Sequence, residues 1–265
     1  MSKTFLGTSG WSYDEWVGAV YPTRTTPKLK YYSSIFSTAE IDSTFYGYPK
    51  PEMVQGWIRN TPLGFKFSLK LPQLITHKKR LEKVEDDLKQ FTDLIKPISD
   101  SGKLAAVLIQ LPPSFTKQST NILENFFQLL PSDIYHAVEF RDKSWQEKET
   151  FRLLERYKIS CVITDSPLGL AVELTTDWAF VRYHGHGKKI WYDYKYSEQE
   201  ISAVAKKLKE IQEKTAVVYG YFNNHYGGNA VQNALQLIQL TGNLSSKQLE
   251  ILNRFRMKKD LDSFS

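Results

Sequence analysis

Short apolar runs recur along the chain, and each of them ends at a polar or charged residue. In chain order the runs are FLGTSGW, TAEIDSTFY, KFSLKLP, AAVLIQLPP, HAVEFRD, SCVITD, FVRYHG and VVYGYFNN. Segments with apolar residues at helical spacing lie between most of them. Strands that alternate with helices are typical of a parallel sheet, and eight such units close into a barrel. The pattern therefore predicts an α/β fold, a single (β/α)8 TIM barrel, with its working residues at the carboxyl ends of the strands.

The helical segments have recognisable limits. The spacing from Leu81 to Ile98 predicts a helix, and Ser197 with Glu200 forms a capping box that opens a helix reaching Lys214. After Asp165 the stretch SPLGLAVELTTDW predicts a loop or a short strand-like excursion, so the barrel is expected to be irregular after strand 6. Further helices are expected over Lys28 to Phe36, from Pro51 through Trp57, and over Ile122 to Leu130, Lys148 to Tyr157 and Gly228 to Leu240.

No linker, low-complexity tract or internal repeat divides the chain. One domain is therefore expected over residues 1–265, with a core of about residues 5–240 and an additional C-terminal helix over 246–258. A length of 265 residues is usual for one TIM barrel.

Composition and charge narrow the functional classes only slightly. The chain is 41% hydrophobic and 24% charged, and its apolar runs are shorter than the ~20 residues of a membrane span. The segment MSKTFLGTSGW leaves no room for a signal peptide, and Cys161 in an apolar run is expected to be a buried, reduced thiol. A cytoplasmic protein without a membrane partner is therefore expected. The net charge of +6 favours anionic partners, and 14% aromatic residues favour a surface that stacks on sugars or bases.

Charged side chains follow several strands in pairs that share one face, because residues two apart in a strand point the same way. These pairs are Glu40 with Asp42, Glu139 with Arg141, and Arg182 with His184. Charges that face a barrel interior must be paired or solvated. One interpretation is a salt-bridge layer that closes the top of the barrel. The repetition on several strands favours the other interpretation, an active site.

Histidines and glycine-rich loops extend this candidate site. His184 in RYHGHG is a candidate acid/base or metal ligand, and His77 is the next candidate. His136 begins a strand and is expected to be structural. Gly227 and Gly228 precede a helix and would suit a bound anion, with Lys188 or Lys189 nearby; the alternative is a tight turn that needs positive φ. A divalent metal is also an open alternative, with ligands from Glu40, Asp42, His77, Glu139, Asp165 and His184.

Seven ordered motifs resemble the signatures of the YecE-like family (domain of unknown function 72). They are GTSGWSYDEWVGAVYP, AEIDSTFYGYP, WIRNTPLGFKFSLKLPQLITH, VLIQLPPSF, AVEFRDKSW, VRYHGHG and YGYFNNHYGGNA. The resemblance implies a TIM barrel related in shape to the xylose isomerase and endonuclease IV groups, and it implies no assigned activity. The ordered ligand set of a three-zinc nuclease is not reproduced.

The resemblance also implies which residues line the mouth. The family usually has E-I-N-x-T-F-Y at the second strand, and Asp42 replaces the Asn here. The residues implied are Trp11, Tyr13, Glu40, Thr44, Tyr46, Lys70, Thr76, His77, Gln110, Glu139, Arg141, Trp145, Asp165, Arg182, His184 and Asn223.

The first hypothesis is an enzyme that acts on an anionic, sugar- or phosphate-bearing substrate by hydrolysis or isomerisation. Glu139 would be the acid/base, Arg141 or Arg182 would set its pKa, and His184 would be its counterpart. Asp165 and Glu40 complete the candidate catalytic set. The remaining roles are anion binding by Lys70, Gly227 and Gly228, and ring stacking by Trp11, Tyr46 and Trp145.

Two other hypotheses stay open. A nucleic-acid-binding or repair-associated protein would use the basic surface and the mouth aromatics without turnover of a small molecule, and its binding would fall steeply with salt. A scaffold with a degenerate site is least consistent with the full set of polar residues. The sequence leaves the oligomeric state undetermined.

Overall fold

The computed structural model describes residues 2–169 and 173–262. Parallel strands alternate with helices along most of this length. The strands are β1 (Lys3–Thr8), β2 (Thr38–Ile41), β3 (Lys66–Lys70), β4 (Leu104–Gln110), β5 (His136–Glu139), β6 (Ser160–Cys161), β7 (Ile163–Asp165), β8 (Trp178–Tyr183) and β9 (Val217–Phe222).

The strands form two parallel sheets that contact each other at two places. One sheet has the order β1-β9-β8-β7 and the other β2-β3-β4-β5-β6. Only Val162 separates β6 from β7, and its N–H donates to the carbonyl of Val138 over 2.9 Å. On the other side, Ser9 forms an isolated parallel bridge with Glu40, and the N–H of Gly10 donates to the Glu40 carbonyl over 2.8 Å. The carboxyl ends of strands from both sheets therefore lie together.

The helices largely follow the predicted limits. They are α1 (Lys28–Tyr32), α2 (Ser43–Tyr46), α3 (Pro51–Arg59), α4 (Glu85–Asp100), α5 (Thr120–Leu129), α6 (Lys148–Arg156), α7 (Glu198–Gln212), α8 (Asn229–Thr241) and α9 (Ser246–Asp262). The capping box at the start of α7 is confirmed, because Ser197 accepts from the Glu200 N–H and the Glu200 carboxylate accepts from the Ser197 N–H. The additional C-terminal helix is present and extends past residue 258.

Some predicted limits were wrong. Helix α4 begins at Glu85 rather than Leu81, because Leu81 and Lys83 have φ of 68° and 53°, which a right-handed helix cannot include. Helix α1 ends at Tyr32 rather than Phe36. Helix α2 and a π-helical turn over Leu74–Lys78 were not predicted. Between β7 and β8, residues 166–169 and 173–177 contain no helix; residues 170–172 of the predicted excursion lie outside the described residues.

The core lies between the strands and the inward faces of the helices. Strand β4 is buried at every position after Leu104, as expected for a strand covered on both faces. Helix α4 buries Leu88, Phe91 and Ile95 on one side. The Cys161 thiol is free and buried, as predicted. Among the described helices, none is both long enough and apolar enough to cross a bilayer.

Candidate functional site

Charged side chains from both sheets meet at Arg182, which is 1% exposed. Its Nη1 donates to Oε2 of Glu139 over 2.7 Å, and its Nη2 donates to Oε1 of Glu40 over 2.6 Å. Oδ1 of Asp42 lies 3.6 Å from Nη2. We call the group that surrounds this guanidinium the carboxylate–arginine cluster: Ser9, Glu40, Asp42, Glu139, Arg141, Arg182 and His184.

Strand geometry explains why these residues meet. Glu139 is the last residue of β5, and Glu40 and Arg182 are the penultimate residues of β2 and β8. Parallel strands bring their carboxyl ends to the same edge, so residues far apart in sequence come within hydrogen-bond distance. The side-chain pairs predicted from the strands are thus joined across strands, with Arg182 between Glu40 and Glu139.

Glu139 is fully buried between two guanidinium groups. Besides Arg182, Arg141 forms an ion pair with it, with Nε 2.5 Å from Oε1. Burial by itself raises the pKa of a carboxyl group, but the charges of Arg141 and Arg182 outweigh burial here and hold the pKa of Glu139 well below its usual range. Glu139 is therefore ionised at neutral pH.

His184 is a buried, neutral imidazole. The Asn223 amide lies 3.2 Å from Nδ1, and Oε1 of Glu139 lies 3.2 Å from Nε2. Burial lowers the pKa of His184 to about 4, although the Glu139 charge opposes this. Because Glu139 is ionised and can only accept, this network assigns the proton to Nε2, and Nδ1 then accepts from the Asn223 amide. The ring is held in one tautomer and one orientation.

Ser9 bridges two carboxyl groups. Its hydroxyl lies 2.6 Å from Oε1 of Glu40 and also in close contact with Oδ2 of Asp42. Glu40 is fully buried, and its Oε2 has no hydrogen-bond partner among the described residues. Burial raises the pKa of Glu40 and the Asp42 charge adds to this, against the opposing charge of Arg182. Tyr13 donates to the Ser9 carbonyl over 2.8 Å, which fixes the backbone here.

Two cations, Lys70 and Arg141, and the neutral imidazole of His77 occupy the neighbouring side of the site, which we call the cation face. The half-buried ammonium of Lys70 lies 3.9 Å from the ring centroid of Phe45, and no carboxylate of the described residues lies within ion-pair distance of it. The Arg141 guanidinium lies 5.3 Å from the ring centroid of Trp191. Burial and, to a lesser extent, the charges of Lys70 and Arg141 together lower the pKa of His77 to about 4.

Three of the predicted mouth residues bond to groups around the site, two of them to the backbone and one to a side chain. Thr44 is buried and its hydroxyl donates to the Lys70 carbonyl over 2.7 Å. Thr76 is buried and lies 2.8 Å from Nδ1 of His77. The Gln110 amide donates to the Leu111 carbonyl over 2.8 Å.

The predicted stacking aromatics have three different environments. Tyr46 is 77% exposed at the end of α2. Trp11 is half-buried and packs on Tyr32 and Phe67. Trp145 is fully buried, with stacked contacts to the rings of Phe115 and Phe140, and its indole N–H donates to the Phe115 carbonyl. Trp145 therefore offers no open ring face, which corrects the expectation that it stacks on a ligand.

The Asp165 carbonyl accepts from the N–H of His184 in the cluster over 2.9 Å, but the Asp165 side chain has a different partner. Oδ1 of Asp165 is 3.1 Å from Nε2 of His186, so these two side chains form a separate pair. Gly227 and Gly228 have φ of 58° and 83°, and a Cβ on Gly228 would lie 3.1 Å from the Phe255 ring. Glycine is thus required at this turn by backbone conformation and by the close approach of α9.

The carboxylates of the cluster are engaged by protein groups. Among residues 2–169 and 173–262, no three His, Cys, Asp or Glu side chains are grouped so that they could hold a metal ion. Glu40 and Glu139 instead use their oxygens on Arg182, Ser9 and Arg141.

Sequence reasoning missed three contributors: Ser9, Phe45 and Trp191. Ser9 directly follows β1, so it occupies the same strand-end position as the residues that were identified. Phe45 lies in the unpredicted helix α2, and Trp191 lies in the loop after β8. Only their tertiary neighbours, Lys70 for Phe45 and Arg141 for Trp191, show their connection to the site.

Comparison with known proteins adds a family but no activity. The family model described as protein of unknown function DUF72 matches residues 5–254. UPF0759 protein YunF of Bacillus subtilis is 30% identical over 93% of this chain and 99% of its own length, and UPF0759 protein YecE of Escherichia coli is 28% identical over 61% and 59%. The crystal structure of a DUF72 family protein (TM1631) from Thermotoga maritima aligns with a TM-score of 0.82 and 32% identity, covering 90% of this chain and 98% of that one.

Proposed function

This chain belongs to the DUF72 family, and we propose that it is an enzyme that uses acid–base chemistry on an anionic, sugar- or phosphate-bearing substrate at the carboxyl ends of its strands. The observation that carries the proposal is the Lys70 ammonium. It is half-buried beside a cluster of charged groups and lies over the Phe45 ring, and no carboxylate of the described residues lies within ion-pair distance of it.

We infer that the two sheets form one closed (β/α)8 barrel. Support comes from the bridge between Ser9 and Glu40 on one side and the continuous chain from β6 to β7 on the other. Arg182 of one sheet also bonds to Glu40 and Glu139 of the other. In such barrels the strand ends and the loops after them form the active site, so the cluster is where a substrate is expected.

The cation face supplies the binding energy for an anion. An unpaired ammonium that is partly removed from water gains more from an anionic ligand than a solvated one does. Arg141 adds a partly exposed guanidinium, and His77 lies close enough to both cations for their charges to lower its pKa. A phosphate or carboxylate group between Lys70 and Arg141 would complete this part of the site.

The acid–base roles differ from those first expected. Glu139 is ionised and held by two arginines, and His184 is neutral and buried, so both are suited to orienting neighbours rather than exchanging protons. Asp42 has a side chain that is 29% exposed and contacts both Ser9 and Arg182. We therefore assign proton exchange with the substrate to Asp42, backed by Glu40.

The experiment is a thermal-shift series with inorganic phosphate, sugar phosphates, sugar acids and oligonucleotides. An anion that binds only the native protein adds ~2.7 kcal/mol at a hundred times its dissociation constant. Lys70→Met should abolish this shift. The matched control is Lys66→Met, at the opposite end of the same strand, where Nζ donates to the Gly102 carbonyl. The proposal fails if no anion stabilises the protein or if both variants lose the shift equally.

Turnover is tested on the anions that bind. Each is incubated with the wild-type protein and with Asp42→Asn, and products are identified by mass spectrometry and NMR. The wild type should convert at least one ligand, and Asp42→Asn should bind the same ligand without converting it. Conversion by the variant at the wild-type rate would contradict the role of Asp42.

Nucleic-acid binding without turnover is the second candidate, supported by aromatic side chains near the site. Tyr46 is 77% exposed and Tyr192 is 39% exposed, and Tyr192 stacks on His225, which in turn stacks on Tyr13. Unpaired bases stack on such rings. Stabilisation by oligonucleotides alone, decreasing steeply with salt, would favour this candidate.

A further inference from the structure

We propose that Glu40 and Asp42 share a single proton through the Ser9 hydroxyl at neutral pH, and that this proton is the acid of the reaction. The catalytic half of this inference rests on the proposed function. The other half, the protonation state of the pair, is a property of the protein alone.

The contacts of the Ser9 hydroxyl are the geometric basis for this proton. A serine hydroxyl has one hydrogen and donates one hydrogen bond, yet the Ser9 oxygen lies at hydrogen-bond distance from a carboxyl oxygen of each residue. Two ionised carboxylates offer only acceptors. A carboxyl O–H as the donor of one contact gives each of the two contacts its own hydrogen, which a single serine hydrogen shared in a three-centre bond does not, and the second carboxyl group remains charged.

Arg182 indicates which carboxyl group carries the hydrogen at rest. Its Nη2 donates to the same Oε1 of Glu40 that the Ser9 hydroxyl contacts. An oxygen that accepts from a guanidinium and a hydroxyl is best suited to be the ionised one. The hydrogen-bond order is then Asp42 to Ser9 to Glu40, with the proton on Oδ2 of Asp42.

The position of Ser9 is fixed by its backbone. Its N–H donates to the Phe222 carbonyl over 2.9 Å, and its carbonyl accepts from Tyr13. Ser9 also pairs with Glu40 in the bridge between the two sheets. The hydroxyl is thus held between the two carboxyl groups by contacts from both sheets.

The charged groups that face the pair come from three other strands. Arg182 faces it from β8 and Lys70 from β3, while Glu139 faces it from β5 and is itself paired with Arg141. Tyr13 and Tyr221 also lie near and are neutral, because burial raises the pKa of each phenol.

Burial and the nearby Asp42 charge raise the pKa of Glu40.

The partial exposure of Asp42 allows its proton to be transferred to a bound substrate. The Glu40 side chain is fully buried, whereas the Asp42 side chain is 29% exposed. In the step we propose, the O–H bond of Asp42 breaks, an O–H bond forms on the leaving oxygen of the substrate, and the bond between that oxygen and the rest of the substrate breaks. The pair is then doubly negative, with Arg182 and Lys70 as its counter-charges. In a hydrolysis, water adds OH to the substrate and its remaining proton returns to Asp42, which balances the reaction.

Infrared spectroscopy of the ligand-free protein tests the protonation state. A protonated carboxyl group has a C=O stretch separate from that of carboxylates, and the band shifts in D2O. We expect this band in the wild-type protein at pH 7 and its loss in Asp42→Asn and in Glu40→Gln. The matched control is Asp165→Asn, whose side chain is 27% exposed and paired with His186, and it should keep the band.

Two results would overturn the inference. One is a wild-type spectrum at pH 7 without a protonated carboxyl group, which needs no variant to fold. The other is a band that survives in both Asp42→Asn and Glu40→Gln.

The outcome is independent of the anion-binding experiment. If Lys70-dependent anion binding is found but the band is absent, the shared proton is wrong and the proposed anion site stands. If the band is present and no anion binds, the shared proton stands and the proposed substrate class is wrong. A pH–rate profile that loses its alkaline limb in Asp42→Asn would then connect the proton to turnover, because a general acid is active only while it is protonated.

Discussion

Two cations at the strand ends have opposite surroundings. Arg182 on β8 is fully buried, and both of its Nη atoms donate to carboxylates from the other sheet. Lys70 on β3 is half-buried and has an aromatic ring where Arg182 has carboxylates. A buried charge that is already compensated by protein groups gains little from binding a ligand, whereas a charge without such a partner gains more. The comparison separates a positioning residue from a binding residue.

The side-chain chemistry fits this division. A guanidinium has a rigid, planar set of donors that can hold two carboxylates at once, as Arg182 does with Glu40 and Glu139. An ammonium is a compact charge on a flexible chain, and Lys70 can reorient toward a ligand. The Arg182 side therefore sets the geometry of the site, and the Lys70 side remains adaptable.

Removal of the Arg182 charge should give the largest effect. Arg182→Met leaves Glu40 and Glu139 buried without their shared partner, so the free energy of unfolding should fall by roughly 3–5 kcal/mol. Chemical denaturation measures this. Arg156→Met is the control, because its ion pair with Glu124 is at the surface and contributes less than about 1 kcal/mol. A loss as small as the control's would mean that the cluster is not a structural unit.

The second-largest effect is expected from pH: acidification should lower the free energy of unfolding through His184, on the Arg182 side of the site. His184 has a pKa of about 4 in the folded protein against 6.5 normally, so the unfolded chain binds its proton first as pH falls. The contribution of neutral His184 to the free energy of unfolding is fully present above pH 6.5. Between pH 6.5 and 4 this contribution should fall by about 1.4 kcal/mol per pH unit.

Denaturation of His184→Gln across this pH range should show a reduced slope. His77→Gln on the Lys70 side should reduce it less, since its half-buried ring is closer to solvent. Equal slopes in the wild type and His184→Gln would contradict the buried, neutral state of His184.

Replacement of Lys70 should have a small effect on stability and reverse the pattern seen at Arg182. Lys70→Met removes a charge that has no carboxylate partner, so the free energy of unfolding should change by less than about 1 kcal/mol and in the stabilising direction. The same denaturation series measures it without a ligand. A loss comparable with that of Arg182→Met would show that Lys70 has a structural role after all.

The smallest effect is expected at Trp191. Its ring lies beside the Arg141 guanidinium, and a cation–π contact near the surface contributes about 0.5–1 kcal/mol. Trp191→Leu should therefore lower stability only slightly, while it weakens anion binding by freeing Arg141 to move. Isothermal titration with an anion identified by thermal shift measures the second effect, and unchanged affinity would remove Trp191 from the site.

Sequence patterns were informative where a residue's position along a strand decides its place. Glu40, Glu139 and Arg182 were identified because each lies at the end of an apolar run. Partners could not be assigned in the same way. Glu139 with Arg141 does form an ion pair, but the contacts of Arg182 span 43 and 142 residues of sequence. Trp145 shows the reverse case, since it follows a strand end as Tyr46 does, yet Phe115 and Phe140 enclose it.

The sequence by itself determined the alternation of parallel strands and helices, the capping box of α7 and the edge at which polar residues collect. Those features depend on periodicity and on local hydrogen bonds, both of which are determined by residues close together in the sequence. Only the tertiary structure decided that Arg182 is enclosed, that Lys70 has no carboxylate partner among the described residues and that Ser9 lies between Glu40 and Asp42. Pairing and burial depend on which strands become neighbours and on distances of a few ångströms, and no local pattern carries that information.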